Sequence, residues 1–215
     1  VADRIEGRLS YDQSKGSETG EKIFQTNLYH YAGTGHLAID YAKLMRVGYD
    51  GLINEAKDKL SKLSMRDPEY NDKRDFYEAM IIMHEAAKTY IERYASLCEE
   101  KAKEEQDEKR KEELLMMAEN CHQIAGGTPQ TFWQAMQLFN IATTLIQVES
   151  NGHSISYGRM DQWLYPYYEK DIKNGTITKE FALELIEVEY VKMNNPTKLK
   201  DKGSMAVSYT HLTLP

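Results

Sequence analysis

The polar stretch from residue 149 to residue 162 carries the side chains of this sequence that are best suited to chemistry. It reads ESNGHSISYGRMDQ and places His153 beside Ser154, between Gly152 and Gly158. Glycine adopts backbone angles that other residues avoid, so the chain can turn here and direct neighbouring side chains into one space. Loops held on a rigid scaffold often carry function. We interpret the stretch as one wall of a functional site.

A second patch, YHYAGTGH at residues 29–36, crowds aromatic, histidine and glycine residues together and ends in His36. A helical pattern begins just after it, near Asp40. A helix start at this point would direct free N–H groups and the positive end of the helix dipole toward the same pocket. The alternative for both patches is an ordinary solvated loop, in which Ser, Asn and Gly are common.

Helices must position these two patches, because apolar residues recur at three-and-four spacing through most of the chain. The pair Asp67-Pro68 should break the chain, and the run of mixed charges at 101–113 should be a solvated helix end and turn. Gly48 and Gly51 weaken the first helix. The predicted helices run from about Asp40 to Leu60, Asp72 to Glu105, Leu114 to Ile124, Pro129 to Val148, and Thr178 to Asn194.

The predicted helix from Pro129 to Val148 is apolar on most of its faces, so it should be buried on more than one side. Its start is marked by Gly126 and Gly127 as a helix stop, Thr128 as the N-cap and Pro129 as the first helical residue. A well-gripped helix that leads directly into residues 149–162 would hold that stretch in place. Beyond the stretch, the aromatic residues from Trp163 to Tyr168 are best explained as a corner of the core.

Composition excludes several classes of protein. The 215 residues are 41% hydrophobic and 28% charged, which is typical of a globular protein, and there is room for one large or two small domains. The net charge of −7 disfavours a general nucleic-acid binder or a protein attracted to anionic lipid. No apolar stretch is long enough for a membrane span, so we expect no membrane partner. Two cysteines do not make a disulfide framework, and a cytoplasmic location is the expectation.

Other candidate motifs are weaker. Gly33-Thr34-Gly35 is too short for a phosphate loop, and no histidines or cysteines have metal-binding spacing. Cys98 and Cys121 fall on helical stripes and should be small buried hydrophobic residues. His84 beside a stripe should be a half-exposed helix residue rather than a ligand. A carboxylate such as Glu149 is suited to general-base chemistry, but at a helix end it more often serves as a cap or ion-pair partner.

Taken together, the motifs resemble the signature of glycyl radical enzymes of the pyruvate formate-lyase superfamily. The resemblance rests on QVESNGHSISYGRMDQ at 147–162, YPYY at 165–168, the Gly35-His36 pair before a helix, and Thr128-Pro129 before an aromatic pair. It covers roughly residues 30–203 and is closest to the glycerol and propanediol dehydratases.

The resemblance implies a fold, a reaction and three site residues. This fragment would be mainly α, part of the helical layer and the first elements of an α/β barrel. His36, His153 and Ser154 match the residues that hydrogen-bond the substrate hydroxyls in the diol dehydratases. Elimination of water needs the departing hydroxyl held and protonated and the other oxygen oriented, which imidazole and hydroxyl groups can do. The substrate would be a small polyol, glycerol or 1,2-propanediol.

The resemblance also implies parts that this sequence lacks. The radical cysteine and the radical glycine of the family lie downstream, so no catalytic radical residue is expected here and the fragment should be inactive alone and hold no cofactor. The full-length protein would carry a glycyl radical, installed by a radical SAM activating enzyme, and would form a homodimer. We expect residues 1–204 to be an internal fragment of the family's domain and residues 205–215 to be a non-native read-through tail.

Two alternatives stay open. A different chemistry of the same superfamily, as in formate C-acetyltransferase or choline trimethylamine-lyase, would change the substrate. A carboxylate substrate would require arginines that face the pocket, and Arg159 is the only one nearby. A non-catalytic helical interaction module would leave His36 and His153 far apart or on open surface.

Overall fold

The computed structural model describes residues 37–150 and 155–193. Within these ranges, six α-helices and one isolated β-bridge make up the regular structure. The prediction of a mainly α-helical chain is confirmed. The helices are α1 (Tyr41–Ser61), α2 (Tyr70–Glu104), α3 (Glu108–Gly126), α4 (Phe132–Ser150), α5 (Met160–Asn174) and α6 (Lys179–Lys192).

Helix α1 is kinked at Gly48, which has φ 64° and ψ 179°. This conformation is almost restricted to glycine, because a side chain would collide with the backbone. The kink lets α1 approach the end of α3 closely: a Cβ atom on Gly48 would lie 2.5 Å from the carbonyl oxygens of Gly126 and Gly127. Gly48, which was expected to weaken this helix, is therefore the residue at which α1 and α3 make a tight contact.

Helices α2 and α3 pack as a long antiparallel hairpin that turns at residues 105–107. Asp107 caps α3, because its side chain accepts hydrogen bonds from the N–H groups of Lys109 and Arg110. The prediction that this helix begins at Leu114 was wrong by about two turns. The charged residues before Leu114 are good helix formers, and the missed cap is what starts the helix.

Helix α4 occupies the centre of the described part. Ala135, Leu138 and Phe139 are completely buried, as expected for a helix covered on several sides. Its start differs from the prediction: the helix begins at Phe132, and Thr131 rather than Thr128 accepts a hydrogen bond from the N–H of Gln134 at 3.2 Å. Both threonines suit an N-cap, so the sequence did not distinguish them.

A residue far along the chain supplies a hydrogen-bond acceptor at the start of α4. The carboxylate of Asp171, in α5, accepts a hydrogen bond of 2.7 Å from the backbone N–H of Phe132. Asp171 is only 2% exposed, so this is a buried, charge-assisted bond to the positive end of a helix dipole. The helix before the polar stretch and the helix after it are thereby tied together.

The predicted start of the last helix agrees with the structure, whereas α5 was not among the predicted helices. Thr178 caps α6 through a bond from the N–H of Phe181, and Gly175 ends α5 with φ 68°. None of the described helices is long and apolar enough to cross a bilayer.

Candidate active site

The structure joins the residues that follow the 29–36 patch to the described residues of the 149–162 stretch. Ala38 and Ser156 form a parallel β-bridge, and the N–H of Ser156 donates a 2.8 Å hydrogen bond to the carbonyl of Leu37. The bridge joins residues that are 118 positions apart along the chain, so it is a tertiary contact rather than a local turn. It sets the two backbones side by side and pointing in the same direction.

His36, His153 and Ser154 all lie outside the described residues. The bridge residues Ala38 and Ser156 come two positions after His36 and two positions after Ser154. The assignment of these three residues to one site therefore stays a prediction.

An aromatic cluster, made of Tyr41, Phe139, Tyr157 and Trp163, supports the bridge. Tyr41 stacks on Trp163 with ring centroids 5.1 Å apart, and Phe139 meets Tyr157 edge-on at the same distance. Tyr41 follows the first bridge strand and Tyr157 follows the second, while Phe139 belongs to the buried helix α4. The bridge, which follows the 29–36 patch and lies within the 149–162 stretch, is thus anchored to one buried helix.

A hydroxyl relay fixes Tyr41 further. The Thr143 hydroxyl donates to the Phe139 carbonyl at 2.8 Å, so the Tyr41 hydroxyl must donate to the Thr143 oxygen, 2.7 Å away. Burial holds the pKa of Tyr41 well above its usual range, and the phenol remains a donor at all physiological pH values. Both buried hydroxyls are satisfied, which makes this a positioning element rather than a reactive one.

The start of α1 beside the bridge is less open than expected. Asp40 caps the helix by accepting a 2.9 Å hydrogen bond from the N–H of Lys43. Its carboxylate also offsets part of the positive dipole that we expected to face the pocket.

Arg159 forms an exposed ion pair with Asp161. Its guanidinium donates to both carboxylate oxygens of Asp161, at 2.9 and 2.6 Å, and its side chain is 69% exposed. The preceding Gly158 has φ 64°, which confirms the expected glycine turn.

His84, Cys98 and Cys121 have structural roles, as predicted. His84 is half-buried and its Nδ1 lies 2.6 Å from the Met80 carbonyl, and burial lowers the pKa of this histidine. Cys98 and Cys121 are free, buried thiols, and burial raises the pKa of Cys121 to about 11. Within 37–150 and 155–193, no cluster of three metal-binding side chains occurs.

Sequence reasoning missed two polar contacts. One is the Asp171 bond to α4. The other is made by His122, whose ring nitrogens lie 2.8 Å from Glu92 and 3.0 Å from Glu99. These hydrogen bonds link α3 to α2 and raise the pKa of the histidine. The i, i+7 spacing of the two glutamates placed them on one helix face, but nothing in the sequence indicated which residue would face them.

Comparison with known proteins now identifies the family. The sequence model described as "Pyruvate formate lyase-like" matches residues 5–210. The chain belongs to this family. Its relatives are glycyl radical enzymes, so the resemblance inferred from the motifs is confirmed.

Individual relatives show which enzymes of the family this chain is similar to. The chain is 74% identical to (2S)-3-sulfopropanediol dehydratase of Klebsiella oxytoca over 207 residues. This match covers 96% of the chain and 25% of that protein. Two solved structures match with a TM-score of 0.77. One is the glycerol-bound B12-independent glycerol dehydratase of Clostridium butyricum, which is 45% identical over 82% of this chain and 22% of its own. The other concerns 1,2-propanediol dehydration in Roseburia inulinivorans and is 38% identical over 79% of this chain and 20% of its own.

The family model and these similarities place the chain in the pyruvate formate lyase-like family, in which the first two of these relatives are dehydratases. The chain spans about a quarter of the length of the curated relative that it matches at 74% identity. The helical segment described above is therefore part of the fold of a glycyl radical enzyme.

Proposed function

We propose that the longer protein to which this chain belongs is a glycyl radical dehydratase that eliminates water from a small vicinal diol. The first substrate to test is (2S)-3-sulfopropanediol, because the dehydratase named for it is 74% identical to this chain. Glycerol and 1,2-propanediol, the substrates expected from the motifs, are the next two. In each case a vicinal diol loses one hydroxyl group and one hydrogen as water and becomes an aldehyde.

The bridge between Ala38 and Ser156 carries the proposal. Two residues of chain span at most about 7 Å, and paired strands lie about 4.8 Å apart. The Cα atoms of His36 and Ser154 therefore lie within about 19 Å of each other whatever their conformation, and about 5 Å apart if the strand pairing continues. This supports a shared pocket and argues against a non-catalytic module in which the histidines are unrelated.

The proposed roles follow from the chemistry of the side chains. His153 lies beside the departing hydroxyl group and supplies a proton to it, while Ser154 and His36 hydrogen-bond the other oxygen and hold the diol in one orientation. An imidazole both donates and accepts hydrogen bonds, which suits a substrate whose oxygens do the same.

The remaining chemistry belongs to polypeptide outside this chain. A glycyl radical, installed by a radical SAM activating enzyme, and a cysteine would supply hydrogen-atom abstraction in the full-length protein, which we expect to be a homodimer. This chain alone would contribute one wall of the pocket and no turnover.

The test is a product assay on the full-length protein, activated without oxygen by its activating enzyme. We expect aldehyde from (2S)-3-sulfopropanediol, with slower or no turnover of glycerol and 1,2-propanediol. Turnover of pyruvate or choline with no turnover of any diol would instead support formate C-acetyltransferase or choline-lyase chemistry and overturn the proposal.

Variants test the three residues separately. His36→Ala, His153→Ala and Ser154→Ala should each lower kcat/KM by at least about 100-fold, the lower range of general acid–base effects. The glycyl radical signal in electron paramagnetic resonance should be unchanged. His122→Gln, a surface histidine on α3, is the matched control and should have wild-type turnover. Wild-type rates in the three site variants would refute their assignment.

A further inference from the structure

A groove runs between the α2–α3 hairpin and α6, with α4 as its floor. Its volume is 620 Å³, equal to about 20 water molecules in the liquid. Apolar side chains from all four helices line it, among them Tyr94, Met117, Ile141, Leu185 and Val188. Tyr94 and Val188 are 44% and 45% exposed, although both belong to this apolar surface. So large an apolar hollow in water is unfavourable and indicates a missing partner.

The groove is long enough to seat a short helix. The stretch of α6 that lines it, from Phe181 to Lys192, spans about 16 Å, which is three helical turns. Trp133 and Phe181, whose rings meet edge-on at 5.3 Å, also line it. An amphipathic helix that lays one face into such a groove is a recurring mode of recognition.

One buried carboxylate specifies the chemistry of the partner. Glu189 lines the groove and is 4% exposed. Its only hydrogen-bond partner among the described residues is the side-chain amide of Asn140, at 3.3 Å. Burial raises the pKa of Glu189, and the charge of Lys192, one turn further along α6, offsets this in part without a direct ion pair. A buried carboxylate is costly unless a cation or several donors satisfy it directly, so Glu189 calls for a closer cationic partner.

A two-fold dimer whose axis passes through the groove is disfavoured. It would place the same concave surface on both sides, and two hollows cannot fill each other. It would also bring Glu189 toward its own copy, which is repulsive. By contrast, the 74% identical relative is about four times as long as this chain, so most of the polypeptide available to cover the groove lies outside the sequence.

We propose that the groove seats an amphipathic helix from the part of the longer polypeptide outside this chain, and that a cationic side chain of that helix pairs with Glu189. The groove is thus an internal docking surface that joins this helical segment to the rest of the enzyme.

Photo-cross-linking in the full-length protein tests the occupant. We would replace Tyr94 with p-benzoylphenylalanine, an aromatic residue of similar shape, irradiate the protein and map the linked peptides by mass spectrometry. Phe76, on the same helix, 61% exposed and outside the groove, is the matched control position. We expect the Tyr94 position to link to a peptide outside the 215 residues and within the same polypeptide, at a yield above that of the control.

Every other outcome overturns the assignment of the occupant. A link to residues 1–36 or 194–215 would mean that the chain covers its own groove. A covalent dimer would mean that a second copy does. A cross-linking yield no higher than that of the control position would mean that nothing covers the groove. The reaction needs no turnover, so failure of the proposed dehydratase activity would not affect this result.

The sign of one stability change tests the cation. Glu189→Gln keeps the hydrogen bond from Asn140 but removes the charge. If a cation pairs with Glu189, the substitution strands that cation and should lower the Tm of the full-length protein by roughly 2–4 °C or more. If the carboxylate is buried without a cation, the same substitution should leave Tm unchanged or raise it, which would contradict the proposal. Glu184→Gln, at the exposed rim, is the control and should have little effect.

Discussion

The contact between Gly48 and the end of α3 gives the sharpest structural prediction. Gly48→Ala would place a methyl group 2.5 Å from two backbone carbonyl oxygens and 2.8 Å from the carbonyl carbon of Gly127. These atoms belong to the backbone, so they cannot rotate away as the end of a side chain would. The substitution would also force alanine to adopt φ 64°.

A matched control separates the cost of the backbone strain from the cost of the close contact between the helices. Gly175 has φ 68°, but a Cβ atom there would meet nothing within 4 Å. Gly175→Ala should therefore cost only the backbone strain, about 1–2 kcal/mol. Gly48→Ala should cost that strain and the overpacking of α1 against α3, roughly 3–5 kcal/mol in total.

Hydrogen exchange on the full-length protein measures both. Each 1.4 kcal/mol corresponds to about a tenfold change in local opening, so amides of α1 and α3 should lose roughly 100-fold to 1000-fold of their protection in Gly48→Ala. In Gly175→Ala the loss should be about tenfold and confined to the end of α5. Equal and small losses in the two variants would refute the close approach of α1 to α3.

Two further predictions concern the polar contacts between helices. Asp171→Ala should lower the free energy of unfolding by roughly 1.5–3 kcal/mol, because it leaves the buried N–H of Phe132 without a partner. Asp171→Asn should cost less, because an acceptor remains. Urea or thermal denaturation of the full-length protein checks this order, and equal effects of the two substitutions would contradict it. His122 has a raised pKa, chiefly through its hydrogen bond to Glu99, so its stabilisation is fully present below its unfolded pKa of about 6.5 and is lost as pH rises through the folded pKa. The Tm difference between wild type and His122→Gln should therefore be larger at about pH 6 than at about pH 8.5, and a difference independent of pH would show that the histidine acts only through packing.

The helices were largely predictable because their signals are local. The apolar spacing of α2, the turn at Gly175 and the Thr178 cap of α6 each depend on residues within one or two turns. The errors also have local causes: Asp107 was overlooked as a cap within a charged run, and Thr128 and Thr131 are equally good candidates for the start of α4.

Long-range contacts could not be predicted in the same way. The sequence indicated that the aromatic residues near Trp163 form a corner of the core, but it did not predict α5, to which Asp171 belongs. It did not indicate that Asp171 would reach Phe132, because a contact across 39 positions depends on how α5 packs on α4. The same applies to the bridge between Ala38 and Ser156. The family resemblance supplied the idea that the two patches share a site, which residue patterns alone left open.

A structure of the full-length protein with a diol substrate bound is the most direct test of the account. We expect the side chains of His36, His153 and Ser154 to lie within about 3.2 Å of the substrate hydroxyl groups, with the Ala38–Ser156 bridge intact beside them. A substrate bound elsewhere, or any of the three side chains facing away from it, would contradict the proposal that these two patches grip one alcohol.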